Sequence, residues 1–272
     1  RYHRKELRAK EGFLIVVLFW TVLASFGAIP FILLEQPSMT VTDAFFESFS
    51  GLTTTGATVI EGIEFLPHSI QFYRQQLQWL GGMGIIVLAV AILPILGVGG
   101  MQLYRAETPG PVKDSKMTPR IADTAKHLWY IYLSLTIACM VAYWLAGMDW
   151  FDAICHSFAT VAIGGFSTHD ASLGYFDSPM VNVICSVFLL IAALNFSLHY
   201  AAVSSRSLKG YLRDPEFKAF LFIQFTLIMI CFLVLTLSGY YTSAEEALDQ
   251  AMIQAVSIST TAGFATTDFS SW

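Results

Sequence analysis

The chain has 272 residues, of which 55% are hydrophobic and only 13% are charged, and its formal net charge at pH 7 is −5. Because a soluble domain has about 25% charged residues, this composition excludes an ordinary soluble protein. The four cysteines lie in apolar stretches without CxxC spacing, which favours small buried hydrophobic residues over a metal or disulfide framework.

Five apolar stretches are each long enough to cross a bilayer, which takes roughly 20 residues. They cover residues 13–34, 80–98, 128–147, 180–199 and 217–239. The sequence WLGGMG, residues 79–84, stands at the start of the second stretch. A phosphate-binding loop would require a preceding strand in a soluble α/β unit, so these glycines indicate close packing of membrane helices.

Three further apolar segments are too short to cross the membrane, and each leads into a stretch that contains glycine with threonine or serine. The segments begin at Asp43, Asp152 and Asp249. The stretches that follow them are GLTTTGAT at 51–58, IGGFST at 163–168 and TAGFAT at 261–266. When Gly56, Gly165 and Gly263 are placed in register, the three aspartates also align to within a residue.

These segments have the properties of pore loops. A helix over residues 43–50 would be about 12 Å long, so the chain must enter the membrane there and return. Irregular backbone at membrane depth is tolerated where it is buried in protein or lines a water-filled path. The negative end of each helix dipole would face a cation, whereas Asp43, Asp152 and Asp249 at the opposite ends are predicted to cap the helices.

Beyond each half-crossing helix, backbone carbonyls are predicted to replace the hydration shell of an ion. Glycine permits the backbone turns that such a strand needs. The predicted ligand residues are Thr54, Thr55, Gly56, Ile163, Gly164, Gly165, Thr261, Ala262 and Gly263. The alternative is a set of interhelical loops repeated by gene duplication without conduction.

The repeating unit is a span, a pore loop and a second span. Successive filter glycines are 109 residues (165 − 56) and 98 residues (263 − 165) apart. We predict a first repeat with a cytoplasmic connector at 1–126, a second repeat at 127–214, and a partial third repeat at 215–272. Since each loop covers about a quarter of a tetrameric carbonyl filter, a fourth unit is expected, and the chain resembles a fragment with about two and a half of four repeats.

Basic and acidic residues are distributed unequally between the two sides of the predicted membrane protein. Fourteen of the 15 Lys and Arg residues fall in the N-terminus, in 101–126 or in 206–218, and Arg74 alone lies on the pore-loop side. The positive-inside rule makes the basic side cytoplasmic. Thirteen of the 20 acidic residues lie on the other side, where they would raise the local cation concentration unless they are ordinary solvated loop residues.

Four motifs together resemble the Trk/Ktr/HKT superfamily of potassium uptake proteins, and the bacterial Trk-type subunits most closely. They are TTTGAT at 53–58, WLGGMG at 79–84, TPRIADTAK at 118–126 and TTAGFAT at 260–266. The resemblance covers almost the whole chain. It implies an all-α polytopic membrane protein with four span–loop–span repeats around one pseudo-fourfold, potassium-channel-like pore, in which Gly56, Gly165 and Gly263 are three of the four filter glycines.

The resemblance also implies a homodimer in the bacterial cytoplasmic (inner) membrane, with a cytosolic nucleotide-binding regulatory subunit as partner. Gly56 favours potassium, because plant relatives with serine at this first filter glycine transport sodium. The family's gating loop and its basic pore residue would lie beyond this sequence, and two further helices would precede Arg1. Membrane lipid is expected as a partner, no cofactor is expected to be covalently bound, and potassium is expected as the substrate.

Our interpretation is potassium uptake through a carbonyl-lined filter, with channel-like transport and proton-coupled symport both open. The alternatives are a non-conducting membrane scaffold and a sodium-permeable cation transporter on the same repeat. An enzyme is not expected, because the six histidines form no HExxH or obvious ligand pair and no GxSxG occurs. Nucleic-acid binding has no support, since the basic residues form membrane-flanking clusters.

Overall fold

The computed structural model describes residues 9–35, 37–84 and 121–272. Within these ranges the chain forms helices joined by turns and no β-strand, which confirms the all-α class. The α-helices are α1 (Ala9–Gly27), α2 (Ile29–Ile32), α3 (Val41–Leu52), α4 (His68–Gly82), α5 (Ile121–Leu145), α6 (Trp150–Val161), α7 (Pro179–Ala192), α8 (Phe196–Ser205), α9 (Lys209–Arg213), α10 (Pro215–Ser238) and α11 (Ala244–Ser259). Short 3-10 turns lie at Ile63–Phe65, Ser172–Phe176 and Phe269–Ser271.

Three of the described helical segments are long and apolar enough to cross a membrane. They are Leu14–Ile32, Lys126–Leu145 and Pro215–Ser238. Their outward side chains include large exposed apolar groups such as Phe26, Trp144 and Phe225, which suit a surface that meets lipid tails. Three of the five predicted spans, and the polytopic membrane class, are thereby confirmed.

The second predicted span begins elsewhere than predicted. Helix α4 starts at His68, which is 12 residues (80 − 68) before the expected start, and it carries buried Gln71, Arg74 and Gln75. Hydropathy misplaces this boundary because it assigns polar side chains to water, whereas these are buried against protein. The rest of that span, the predicted connector up to residue 120 and the basic residues before residue 9 lie outside the described residues.

The fourth predicted span, over 180–199, is not one continuous helix in the structure. Helix α7 stops short, and α8 starts anew directly after Asn195. Asparagine competes for backbone hydrogen bonds and therefore favours helix starts over helix interiors. His199 bridges the break, because its ring nitrogens lie 3.0 Å from Ile191 O and 2.7 Å from the Tyr211 hydroxyl oxygen.

The three half-crossing helices are present as α3, α6 and α11. They have 12, 12 and 16 residues, or about 18, 18 and 24 Å, which is less than the hydrocarbon thickness of about 30 Å. Each is followed by a non-helical stretch that contains one of Gly56, Gly165 and Gly263. The predicted design of a short helix followed by a non-helical returning segment is confirmed, although each helix begins before the aspartate at which its segment was predicted to start.

The helices interlock from one predicted repeat to the next. Helix α3 packs between α1 and α4, while α6 packs against α5 and α7 and also against α4. Helix α11 packs against α10 and against α7. The second helix of one repeat therefore contacts the short helix of the following repeat. The repeat boundaries at residues 126 and 214 stay a prediction.

Two adjacent glycines at the end of α4 permit close helix packing. A Cβ on Gly81 would collide with the backbone carbonyl of Leu52, at the end of α3. A Cβ on Gly82 would lie 2.6 Å from the Tyr132 hydroxyl oxygen and 3.0 Å from Ala162 Cα. The interpretation of WLGGMG as a helix-packing motif is confirmed at these two positions.

We predict that Gly81→Ala destabilises the complete protein by about 1–3 kcal/mol, the usual cost of overpacking against neighbours that cannot move away. The matched control is Gly210→Ala, because a Cβ on Gly210 would meet no atom of the described residues within 4 Å. That control should leave the free energy of unfolding unchanged or raise it by up to about 1 kcal/mol, because alanine favours a helix over glycine. Thermal unfolding midpoints in detergent measure both effects, and equal midpoints would contradict the packing role of Gly81.

Candidate ion-binding filter

The three short helices end in the same hydrogen-bonded cap. In each, two backbone N–H groups of the following loop donate to carbonyls of the last helical turn, which is the pattern of a Schellman cap. The bonds, 2.8–3.0 Å long, run from Thr54 to Gly51, Thr55 to Ser50, Ile163 to Thr160, Gly164 to Ala159, Thr261 to Ile258 and Ala262 to Ser257. The three loops therefore leave their helices in the same way.

The first residue of each loop has a strained backbone. Thr54, Ile163 and Thr261 have φ values of 54°, 56° and 69°, which is a left-handed conformation that a β-branched residue rarely adopts. Such strain costs on the order of 1–3 kcal/mol per residue, persists where the surroundings enforce it, and is concentrated at functional sites. The sequence carries no signal for this feature, because threonine and isoleucine do not favour left-handed turns.

Two residues later each loop is left-handed again, now at a glycine. Gly56, Gly165 and Gly263 have φ values of 77°, 76° and 82°, and glycine adopts this conformation without steric cost. The residue between the two left-handed positions has a negative φ in all three loops. Alternation of positive and negative φ can turn successive carbonyls toward one side of the loop, as a carbonyl-lined filter requires.

Carbonyls from different loops converge on one point. A Cβ on Gly56 would collide with Gly164 O and would lie 3.4 Å from Ala262 O. A Cβ on Gly165 would in turn collide with Ala262 O. On Gly263, by contrast, a Cβ would meet no atom of the described chain within 4 Å. The structure thus brings the three predicted filter segments together, and the third glycine lies at the edge of this group of described residues.

A buried polar side chain lies nine residues before each filter glycine (56 − 47, 165 − 156 and 263 − 254). These residues are Glu47, His156 and Gln254, and each is at most 1% exposed. Each one hydrogen-bonds a hydroxyl just beyond the glycine: Glu47 bonds Thr58 at 3.0 Å, His156 bonds Ser167 at 2.9 Å, and Gln254 bonds Thr266 at 3.1 Å. These bonds hold each strand against its own short helix. Their fixed spacing was visible in the sequence, but the three residue types differ.

The prediction that Asp43, Asp152 and Asp249 cap the helices needs correction. The capping side chains are Thr40, Asp149 and Ser243, which accept hydrogen bonds from backbone N–H groups of the first turn. A capping residue must have an extended backbone, and the three helices begin before the predicted aspartates. Asp43 and Asp152 lie within the first turn, where a carboxylate still complements the helix dipole.

Asp249 lies in the second turn of α11 and faces another helix. It accepts a hydrogen bond from Asn182 Nδ2 at 2.7 Å, which connects α11 with α7. Burial raises the pKa of Asp249, and the hydrogen bond from Asn182 opposes that shift. This residue is therefore a contact between two predicted repeats and not a helix cap.

Asp152 is connected to the second filter strand. Its carboxylate accepts a hydrogen bond from the Thr168 hydroxyl at 2.6 Å and lies 3.0 Å from His169 Nε2. Burial raises the pKa of Asp152, but the hydrogen bonds from His169 and Thr168, together with charge interactions with His156 and His169, leave that pKa below its usual value. At the same spacing in the third loop, Gln250 accepts a hydrogen bond from the Thr266 hydroxyl.

Arg74 on α4 connects two of the filter strands. Its guanidinium lies 2.7 Å from Glu47 Oε1, and both side chains are fully buried. The same guanidinium donates to the Thr58 hydroxyl at 3.2 Å and to Ser167 O at 3.1 Å. The single basic residue that the sequence places on the pore-loop side is thus a buried support of the strands beyond Gly56 and Gly165.

The outer loops of the first two repeats are joined as well. The Asp170 carboxylate accepts hydrogen bonds from Gly62 N at 2.7 Å and Ile63 N at 2.9 Å. Asp170 N donates to Glu64 Oε1 at 2.9 Å. Asp170 and Glu64, two of the acidic residues that the sequence assigns to the outer face, therefore hold two loops together.

Comparisons with known proteins agree with this geometry. A sequence model of the TrkH family, described as a cation transport protein, matches residues 1–272. The chain is 68% identical to the Trk system potassium uptake protein TrkH of Vibrio parahaemolyticus and 66% identical to that of Escherichia coli K12; each match covers 100% of this chain and 56% of the relative. The crystal structure of the potassium transporter TrkH from Vibrio parahaemolyticus superposes with a TM-score of 0.85 at 63% identity, covering 100% of this chain and 55% of that one.

The chain belongs to the TrkH family of cation transport proteins. It spans about half the length of the curated relatives that it matches. The family resemblance expected from the four motifs is confirmed.

We predict that Arg74→Met destabilises the complete protein by about 3–5 kcal/mol, because Glu47 would remain buried as an unpaired charge. The double variant that adds Glu47→Gln removes both charges and should recover most of that loss. The coupling energy between Arg74 and Glu47 follows from thermal unfolding midpoints in detergent. These are measured for the wild type, both single variants and the double variant. If the double variant unfolds as early as Arg74→Met, the ion pair is not the reason for the loss.

Proposed function

We propose that the complete protein takes up potassium across the bacterial cytoplasmic membrane and that this chain supplies three segments of its selectivity filter. The observation that carries the proposal is the convergence of Gly164 O and Ala262 O beside Gly56, in three loops that share one left-handed pattern. Relatives at 66–68% identity are named potassium uptake proteins, which supports potassium as the cation.

In this proposal, a potassium ion loses its water at the converging carbonyls and binds to backbone oxygen. The proposed ligand residues are those of the three runs, namely Thr54, Thr55, Gly56, Ile163, Gly164, Gly165, Thr261, Ala262 and Gly263. The strained residues and their caps keep the carbonyls oriented before the ion arrives, so that little reorganisation is needed on binding. The short helices direct the negative ends of their dipoles toward the ion.

A fourth segment would complete the ring beside Gly263, where a Cβ would meet no atom of the described chain within 4 Å. We further propose that the complete protein forms a homodimer, contacts membrane lipid and pairs with a cytosolic nucleotide-binding regulatory subunit. The basic residues at 101–126 and 206–218 are the proposed cytoplasmic contact regions for that subunit.

The direct test is rubidium uptake into liposomes that contain the complete protein, with its regulatory partner present, in competition with potassium, sodium and lithium. We expect potassium to block the uptake of rubidium and sodium to leave it unchanged. Absence of rubidium uptake, with and without the partner, would favour a non-conducting membrane scaffold. Equal block by potassium and sodium would favour an unselective cation transporter.

We predict that Gly56→Ser lowers the preference for potassium over sodium by about tenfold or more, because its Cβ would occupy the space between carbonyls that set the field and size of the site. The matched control is Gly239→Ser, since Gly239 also has a positive φ, of 66°, but a Cβ there would meet no atom within 4 Å in the part of the chain that the structure describes. Competition of sodium against rubidium uptake measures the preference. A retained preference in Gly56→Ser would count against this filter assignment.

A further inference from the structure

The second filter strand lacks a support that the first and third strands have. In those two, a serine six residues before the glycine (56 − 50 and 263 − 257) donates to the carbonyl just after the glycine. Ser50 donates to Ala57 O at 2.5 Å, and Ser257 donates to Phe264 O at 2.7 Å. The second repeat has Ala159 at this position (165 − 6), which has no hydroxyl.

Gln78, from the preceding repeat, holds the second strand on both sides of its glycine. Its side-chain nitrogen donates to Gly164 O at 2.5 Å, and its side-chain oxygen accepts from Phe166 N at 3.1 Å. Gln78 is fully buried, so these bonds do not compete with water. A primary amide can donate and accept at once without adding charge, which suits a position next to a cation path.

Arg74 lies one turn earlier on the same face of α4 and extends the contact outward. It donates to Ser167 O at 3.1 Å, and its guanidinium carbon lies 4.3 Å above the centre of the Phe166 ring. Helix α4 of one repeat therefore holds the strand of the next repeat at Gly164, Phe166 and Ser167.

We propose that Gln78 is a positioning residue that sets the place of Gly164 O in the carbonyl cluster and thereby contributes to discrimination between potassium and sodium. Gly164 O lies next to Gly56, so a shift of this carbonyl changes the cluster that the first and third loops share. This inference rests on the proposed function and goes beyond it, because it assigns selectivity to a side chain outside the filter loops.

The first test compares Gln78→Leu with Gln75→Leu in the complete protein. Gln75 is also fully buried on α4, but within the described residues neither atom of its amide has a hydrogen-bond partner. We expect Gln78→Leu to lower the preference for potassium over sodium roughly three- to tenfold, the range that one or two lost hydrogen bonds provide. Gln75→Leu should leave the preference unchanged.

Two measurements report the preference. One is the competition of sodium against rubidium uptake in liposomes. The other is the concentration of potassium or of sodium that half-maximally raises the thermal unfolding midpoint in detergent, since an ion that binds the folded state stabilises it. The second measurement does not require transport and shows at the same time whether each variant is folded.

The second test uses Gln78→Glu. An ionised carboxylate can accept from Phe166 N but cannot donate to Gly164 O, whereas the protonated acid can do both, as the amide does. The preference of this variant should therefore be low at high pH and should approach that of the wild type as the pH falls through the pKa of the introduced carboxyl, which burial raises. Dividing the potassium preference of the variant by that of the wild type at each pH removes any pH dependence that the two proteins share.

The third test introduces into the second filter strand the serine hydrogen bond that the first and third strands have. In the double variant Gln78→Leu with Ala159→Ser, the new hydroxyl is placed to donate to Phe166 O, as Ser50 and Ser257 do in their strands. We expect this double variant to regain part of the preference that Gln78→Leu loses. A purely structural role of Gln78 would show as a lower unfolding midpoint with an unchanged preference.

The outcomes separate the inference from the proposed function. If the wild type prefers potassium, and folded Gln78→Leu and Gln78→Glu keep the same preference at every pH, the inference is overturned and the proposed function stands. If the wild type neither takes up rubidium nor is stabilised by potassium over sodium, the proposed function fails and the inference fails with it.

Discussion

A filter made of backbone carbonyls must hold those groups in place while leaving them free to bind an ion, at a depth where little water is present to satisfy them. The contacts around the three proposed filter loops match that constraint. Left-handed backbone at Thr54, Ile163 and Thr261 orients the carbonyls at a cost in strain. The Schellman caps, the buried residue nine positions earlier and the contacts from neighbouring helices offset that strain.

The three repeats meet this constraint with different side chains. At the position nine residues before the glycine, a carboxylate, an imidazole and an amide each bond a hydroxyl of the strand. Glu47 brings a charge that Arg74 must compensate, whereas His156 and Gln254 need no counterion. The repeats therefore share the geometry of this hydrogen bond, and the residue type varies because different donors and acceptors can reach the hydroxyl just beyond the glycine.

Much of the architecture was predictable from local pattern, and most of the support was not. The sequence predicts the short helices, the returning loops and the glycines at 56, 165 and 263. It does so because an apolar segment too short to cross the membrane, followed by glycine, occurs three times. The helix caps were misplaced because a side chain caps only where the backbone is extended, which residue type does not determine. The bonds of Gln78 join residues 86 and 88 positions apart, a separation at which no periodicity carries information.

The predicted start of α4 differs most from the structure, and the helical turns that the prediction misses carry the polar side chains that contact the second filter loop. Helix α4 was expected to start where apolar residues begin, but it starts at His68, and the polar turns in between contain Arg74 and Gln78. Polar side chains on a membrane helix are costly unless they are buried with hydrogen-bonding partners. A polar helical turn next to a pore loop therefore predicts that the polar face of the helix contacts that loop. Each second helix here contacts the short helix of the next repeat, and bonds from Arg74 and Gln78 reach the second strand. The geometry of one loop thus depends on the repeat beside it, so under the proposed function the discrimination between ions would depend on contacts between loops and not on any single loop.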